Sequence, residues 1–148
     1  MKIKSHILGV VLLSGMVLTG CNAQTQGSSN ENENSTTQEQ TRGTYRDVDV
    51  NTFADLKQGE GILLDVRTPE EYSQGHLEGA MHIDFYGQDF QNEISKLDKD
   101  TPVYVYCRSG GRSGKTMDMM KQMGFKEVYN LDGGITAWQG SGKPVVTE

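Results

Sequence analysis

Short apolar runs alternate with helix-like segments along the last 104 residues of the chain, which remain when the first 44 of its 148 residues are set aside. The strand-like runs cover residues 45–48, 62–66, 80–83, 102–106 and 127–131. Each is followed by a helical pattern or a helix-start signal, at residues 49–57, 68–71, 88–97, 113–123 and 135–139. This alternation predicts one α/β domain with a mostly parallel, five-stranded sheet and helices on both faces.

The first 21 residues have the order of a secretory signal. Lys2 and Lys4 precede an apolar stretch at residues 7–18, which is short for a bilayer span, and small residues follow. A short membrane anchor is the alternative interpretation. The last four residues, 18–21 (LTGC), resemble the bacterial lipobox, which implies that Cys21 receives a diacylglycerol and becomes the mature N-terminus.

Residues 22–44 contain almost no apolar side chains, so this segment cannot bury enough surface to fold. We interpret it as a flexible polar tether between the signal and the domain at residues 45–148. Together with the lipobox, the tether predicts an exported protein, anchored by lipid to a bacterial membrane, with its domain outside the cytoplasm.

The chain is acidic overall, with 14 basic and 20 acidic residues. Loss of Lys2 and Lys4 with the signal leaves 12 basic residues, so the net charge of the mature chain becomes 12 − 20 = −8. Such a chain has no general attraction for nucleic acid or anionic lipid surfaces. Any anion that it binds has to be held by a local site.

The chain contains two cysteines, Cys21 and Cys107. If Cys21 carries lipid, Cys107 is a lone thiol in an exported protein, which indicates a reactive thiol or an intermolecular bridge. A buried, inert cysteine is the alternative.

The segment that follows the fourth predicted strand carries the features of a thiolate site. Cys107 ends that strand, and ligands of parallel sheets bind at the carboxyl ends of strands. Gly110 and Gly111 allow the loop to turn so that successive N–H groups point inward, and the next helix adds its positive N-terminal end. Arg108 and Arg112 add full charges, and all of these features favour the thiolate.

Four sequence blocks, in order, resemble the rhodanese family. They are residues 63–72 (LLDVRTPEEY), 75–80 (GHLEGA), 107–113 (CRSGGRS), and 124–125 with 131–138 (GF and LDGGITAW). The resemblance implies the rhodanese fold and a sulfurtransferase that carries sulfane sulfur as a persulfide on Cys107. It also implies a thiosulfate-like donor anion, cyanide or a thiol as acceptor, no cofactor beyond the covalent persulfide, and a monomeric domain.

The resemblance also implies roles for individual residues. Arg108 is expected to meet the anionic part of the donor, and Arg112 to brace the loop and support the charge. The persulfide is expected to be cradled by the backbone N–H groups of the loop, which belong to Arg108, Ser109, Gly110, Gly111 and Arg112. Polar residues expected to hold the fold and the loop are Asp65, Arg67 and His76.

Three positions depart from the family pattern. Glu78 replaces a usual proline, which is expected to loosen the turn before the third strand. Thr116 and Met117 replace small alanines on the helix behind the loop, so we expect different helix packing there. None of the three is expected to touch the sulfur.

Loop length separates two enzyme classes. Four residues lie between Cys107 and Arg112, whereas the corresponding loop of cysteine phosphatases is one residue longer. The shorter loop is expected to be too small for a tetrahedral phosphate, so we favour sulfur over phosphate as the transferred group. A non-catalytic persulfide-binding or thiol-relay module remains an alternative, which would need a partner thiol.

Metal binding is not predicted. His76, His82 and Asp84 are candidate ligands by residue type, but their spacing matches no typical zinc site. Scattered histidines in a small domain are more often hydrogen-bonded structural groups.

Overall fold

The computed structural model describes residues 43–147, which contain a single five-stranded sheet. The strands are β1 (Thr44–Val48), β2 (Ile62–Asp65), β3 (Met81–His82), β4 (Val103–Tyr106) and β5 (Glu127–Leu131). Their order across the sheet is β1-β5-β4-β2-β3, and all neighbouring pairs are parallel. Strand β4 is therefore central, and Cys107 follows directly at its carboxyl end. The predicted parallel α/β architecture is confirmed.

Residues 43–147 contain five helices, of which the first four connect successive strands and the fifth follows β5. They are α1 (Val50–Leu56), α2 (Pro69–Ser73), α3 (Phe90–Ser95), α4 (Gly111–Met123) and α5 (Gly134–Gly140). One apolar core contains side chains of α3 and α4, and a second core, on the other face of the sheet, contains side chains of α1 and α5. Because both faces are covered, every residue of β4 is buried.

The helix starts follow the local sequence. The Asp49 carboxylate accepts hydrogen bonds from the N–H groups of Asn51 and Thr52 at the start of α1. Thr68 and Glu71 form a reciprocal capping box on α2, with Pro69 in its first turn. At the end of α4, Gly124 takes a left-handed conformation (φ +88°), as expected of a helix stop.

Several boundaries differ from the predicted ones by one or two residues. Strand β1 begins at Thr44, one residue before the predicted strand, and α3 is shorter than the predicted residues 88–97 at both ends. Helix α4 begins at Gly111 instead of Ser113, because Gly110 is left-handed (φ +93°) and turns the chain directly into the helix. Gly111 and Arg112 therefore belong to the first turn of α4.

The three departures from the family pattern lie in ordered surroundings. The turn at Glu78 is closed by a 3.0 Å bond from the N–H of Ala80 to the carbonyl of Leu77. Thr116 is buried, and its hydroxyl donates to the carbonyl of Arg112. Met117, also on α4, packs against the core that contains side chains of α3 and α4.

The signal, the tether as far as residue 42 and the Cys21 lipid site lie outside the described residues. No helix in residues 43–147 is long and apolar enough to cross a membrane.

Candidate functional site

The Cys107 sulfur lies beneath the loop that joins β4 to α4. The residue is 1% exposed, and its Sγ is 3.2 Å from the backbone nitrogen of Gly110 and 3.3 Å from the hydroxyl oxygen of Ser113. Both groups can donate to the sulfur. The loop therefore offers hydrogen bonds to a sulfur anion in a site that excludes most water.

Two opposing effects act on the Cys107 thiol. Burial raises its pKa, whereas hydrogen bonds from the Ser113 hydroxyl and from the backbone N–H groups of Ser113, Ser109 and Gly110 lower it. The hydrogen bonds prevail, and the pKa of Cys107 lies below its usual value. A lowered pKa increases the thiolate fraction, and the thiolate is the nucleophilic form.

The loop rests on the turn between β5 and α5. The Cys107 carbonyl accepts a 2.9 Å bond from the N–H of Ile135, and the Arg108 carbonyl accepts bonds from the N–H and hydroxyl of Thr136. A Cβ on Gly134 would lie 2.4 Å from the Cys107 carbonyl oxygen, so this close approach requires glycine. The start of α5 thereby fixes the backbone on which the thiol stands.

Arg112 makes a bidentate ion pair with Glu71. Its Nη1 and Nη2 atoms lie 2.7 and 2.8 Å from the two carboxylate oxygens. The Arg112 guanidinium also lies over the ring of Tyr86. The hydrogen bonds from Arg112 hold the pKa of Glu71 at about 2, so the pair is charged at neutral pH. The first turn of α4 is thus tied to the first turn of α2.

A buried ion pair adjoins the loop on its other side. Arg67 donates to both carboxylate oxygens of Asp65, at 2.7–3.0 Å, and to the Gly75 carbonyl. Its guanidinium also lies over the ring of Tyr106, the residue before Cys107. Burial and the adjacent Asp65 carboxylate raise the pKa of Tyr106, so its hydroxyl stays protonated. The arrangement packs β2 against the end of β4.

His76 makes contacts of a structural kind. Its ring stacks on Tyr72 with the centroids 3.8 Å apart, and its backbone pairs with that of Val146 in an antiparallel bridge. His82 also stacks on Tyr72, and its Nε2 lies 2.8 Å from the Arg67 carbonyl oxygen. Residues 43–147 contain no group of three His, Cys, Asp or Glu side chains arranged as a metal site.

An open polar cleft of about 370 Å³ borders the loop. Its lining residues are Arg67, Glu71, Gln74, Gly75, Arg108, Ile135, Thr136 and Gln139. Arg108 is exposed, whereas Arg67 is held by Asp65. The guanidinium of Arg108 is therefore the group best placed to meet an anion that enters the cleft.

The model of the rhodanese-like domain family matches residues 49–141, which contain strands β2 to β5, the cysteine loop and all of α5. The chain belongs to the rhodanese-like family. It is similar to a sulfurtransferase of Allochromatium vinosum, with 39% identity over 85 residues that cover 57% of this chain and 78% of that protein. Thiosulfate sulfurtransferase GlpE of Ectopseudomonas mendocina is 33% identical over 96 residues, which cover 64% of this chain and 85% of that protein.

Solved structures of rhodanese-like proteins share the fold. A rhodanese-related protein from Thermoplasma volcanium matches with a TM-score of 0.63 and 28% identity, over 70% of this chain and 100% of that chain. A rhodanese-like domain from Anabaena matches with a TM-score of 0.60 and 29% identity, over 69% and 79% of the two chains. The sulfurtransferases among the relatives support a transferase as the enzyme class of this rhodanese-like chain.

The structure brings most of the predicted site residues of this rhodanese-like domain together. Ser109, Gly110 and Ser113 donate to the Cys107 sulfur, whereas His76 packs on Tyr72 and pairs with Val146. The sequence analysis treated residues 68–71 only as a helix start, and the pairing of Glu71 with Arg112 was not predicted. The hydroxyl of Ser113 was also not predicted, although a serine in the first turn after a cysteine loop is itself a signal of a donor to the sulfur.

Proposed function

We propose that this rhodanese-like protein is a sulfurtransferase that moves a sulfane sulfur from a thiosulfate-like donor, through a persulfide on Cys107, to cyanide or a thiol. The observation that carries the proposal is the pair of donors on the Cys107 sulfur, the Gly110 N–H and the Ser113 hydroxyl. They stabilise the attacking thiolate and are available again when it is the leaving group.

The reaction consists of two displacements. The Cys107 thiolate attacks the outer sulfur of thiosulfate, a new S–S bond forms, and sulfite leaves with the electron pair of the broken S–S bond. Cyanide or a thiolate then attacks the outer sulfur of the persulfide. Thiocyanate or a new persulfide is formed, and the Cys107 thiolate leaves with the electron pair. No external oxidant or reductant is consumed.

Binding of the donor is assigned to the cleft beside Arg108. Because the chain is acidic overall, attraction for a small anion has to come from local charge. The exposed Arg108 guanidinium supplies that charge at the mouth of the cleft. Loop N–H groups of Ser109 and Gly110 act on the thiol as donors and are proposed to cradle the persulfide.

The location of this chemistry is also part of the proposal. A lipid on Cys21 would hold the protein at a bacterial membrane, with the domain facing outside the cytoplasm. Cells that are fed a labelled fatty acid are expected to label the full chain and to leave the Cys21→Ser variant unlabelled. Equal labelling of both would contradict the anchor.

The test of the reaction compares the full chain with its Cys107→Ala and Cys21→Ser variants. With thiosulfate and cyanide, the full chain and Cys21→Ser are expected to release sulfite and thiocyanate, and Cys107→Ala to release neither. Mass spectrometry after thiosulfate alone is expected to find one added sulfur atom on Cys107. Equal activity of the full chain and Cys107→Ala would overturn the proposal.

The same samples distinguish the alternatives. A covalent adduct of Cys107 with another protein, without an added sulfur atom, would indicate a thiol relay. Hydrolysis of an aryl phosphate that depends on Cys107 would indicate a phosphatase.

A further inference from the structure

Asn130 is a buried amide on β5 beneath the first turn of α4. It is 4% exposed, and its Nδ2 donates to the Asp47 carboxylate at 2.7 Å and to the Gly110 carbonyl at 3.2 Å. Its Oδ1 is buried and has no hydrogen-bond partner in the part of the chain that the structure describes.

The two neighbours of Asn130 fix the orientation of its amide. The Asp47 carboxylate and the Gly110 carbonyl are acceptors, so the NH₂ group of Asn130 has to face both of them. The consequence is a buried oxygen without a partner, which is unfavourable by itself. A buried polar atom without a partner requires an explanation in a native structure. Here the explanation lies with the two acceptors that the Asn130 NH₂ group contacts.

Those hydrogens compete with the Ser113 hydroxyl for one acceptor. Ser113 has a single O–H, with the Cys107 sulfur at 3.3 Å and the Gly110 carbonyl at 3.1 Å. The Gly110 carbonyl also accepts a 2.8 Å bond from the N–H of Gly114. With Asn130 and Gly114 as donors, both lone pairs of that carbonyl are occupied, which leaves the sulfur as the better acceptor for Ser113.

We propose that Asn130 is a positioning residue for the cysteine: by occupying the Gly110 carbonyl, it directs the Ser113 hydroxyl to the Cys107 sulfur, and Asp47 holds its amide in place. The role deepens the proposed function and rests on it, because a directed donor serves the thiolate that accepts and releases sulfur. Asn130 itself does not touch the sulfur. Its action passes through Gly110 and Ser113.

Other charged groups around the cysteine are Arg108, which is exposed on the loop, and two ion pairs. Arg112 contributes a positive charge toward Cys107 and is paired with Glu71. Asp65 and Arg67, on the adjacent strand end, are paired with each other. None of these groups bonds Asn130, so a change at Asn130 leaves the charges near the sulfur in place.

The test is a double-mutant cycle in the full chain carrying Cys21→Ser, so that Cys107 is the only thiol. The variants are Asn130→Leu, Ser113→Ala and the two combined, and the readout is the rate of Cys107 alkylation by iodoacetamide as a function of pH. Loss of one directed hydrogen bond is expected to slow alkylation below the thiol pKa by about three- to tenfold in either single variant. In the Ser113→Ala background, Asn130→Leu is expected to change the rate by less than about twofold.

An equal slowing by Asn130→Leu with and without Ser113 would overturn the proposal, because Asn130 would then act independently of the hydroxyl. No slowing in the Ser113 background would overturn it as well. Leucine fills the volume of the amide and removes the unpartnered oxygen, so the variant is expected to fold. Asn130→Ala, with its fold checked by thermal unfolding, provides a second variant that must give the same pattern.

The alkylation assay contains no sulfur donor. A failure of sulfur transfer in the wild-type chain would therefore leave this result standing, and a failure of the cycle would leave the sulfurtransferase proposal standing.

Discussion

Glu71 and Arg112 form a bidentate ion pair between the first turns of α2 and α4, with nitrogen–oxygen distances of 2.7 and 2.8 Å. The same carboxylate accepts a bond from the N–H of Thr68 and thereby caps α2. One side chain thus links the helix after β2 to the helix that begins at the cysteine loop. The arginine is held by this pair, so it is less free than Arg108 to follow a substrate.

Replacement of Glu71 by glutamine is expected to lower the free energy of unfolding by about 1–2 kcal/mol at pH 7, since the fork of Arg112 loses a charged partner. The pKa of Glu71 is about 2 in the folded chain, below its usual 4.5. A lowered folded-state pKa contributes stability above the unfolded pKa, and this contribution is lost as the pH falls from about 4.5 toward 2. Urea unfolding at pH 7 and at low pH measures the difference between the two proteins.

The difference between wild type and Glu71→Gln is therefore expected to shrink at low pH. A difference that stays constant over this range would mean that the ion pair contributes no pH-dependent stability. Glu93→Gln, on the exposed side of α3, is the matched control and is expected to unfold like the wild type at both pH values.

Gly134→Ala is expected to displace the cysteine loop, because the new side chain would clash with the backbone of that loop. The new Cβ would lie 2.4 Å from the Cys107 carbonyl oxygen and 2.6 Å from that of Arg108, at a left-handed φ of +58°. Either the loop or the start of α5 has to move, and we expect a loss of about 2–4 kcal/mol of stability together with slower alkylation of Cys107.

Gly140→Ala is the matched control on the same helix, because a Cβ there meets no atom within 4 Å. It is expected to leave both measurements close to those of the wild type. If the two alanine variants behave alike, the contact of Gly134 with the loop has no role in fixing the thiol.

Arg67→Met is expected to leave the Asp65 carboxylate buried without its partner. Asp65 is fully buried and accepts three bonds from the Arg67 side chain. Removal of one member of a buried ion pair typically costs about 3–5 kcal/mol. Chemical denaturation measures this loss.

The exposed pair of Lys126 and Asp100 gives the comparison. Their side chains are 55% and 70% exposed. Lys126→Ala is therefore expected to leave the unfolding midpoint within experimental error of the wild type. A similar midpoint for Arg67→Met and Lys126→Ala would show that burial adds nothing to the pairing of Arg67.

Much of this fold follows from local sequence. Apolar runs predicted the strands because a sheet covered on both faces needs them, and the sequence from Thr68 to Glu71 predicted the capping box because all its members are close in the chain. The contacts of the site, by contrast, join residues that are far apart in the chain. Glu71 meets Arg112 across 41 residues, and Asn130 meets Gly110 across 20, and such distant pairs depend on the order of strands in the sheet.

The start of α4 is a local feature that the sequence also did not predict correctly. Ser113 was predicted as the first helical residue, but the left-handed Gly110 starts the helix at Gly111. Ser113 is thereby the third residue of α4, and its hydroxyl lies 3.3 Å from the sulfur. A glycine's choice between left- and right-handed backbone depends on its packing, here against the turn after β5, and cannot be read from the glycine itself.

Arg108 is expected to control the binding of the donor more than the rate of its reaction. Arg108 is exposed at the cleft that borders the loop, whereas the Gly110 N–H group, which donates to the sulfur, is buried. Arg108→Ala is expected to raise the KM for thiosulfate about five- to tenfold, with kcat changed less than about twofold, because a contact made equally in the ground and transition states affects KM alone.

Arg108→Lys keeps the charge but loses the planar guanidinium, so its KM for thiosulfate is expected to lie between those of the wild type and Arg108→Ala. Added salt is expected to raise the KM of the wild type and to have a smaller effect on Arg108→Ala, since salt screens an exposed charge. A fall in kcat at unchanged KM would contradict this prediction. It would mean that Arg108 acts mainly in the transition state, by stabilising the departing sulfite.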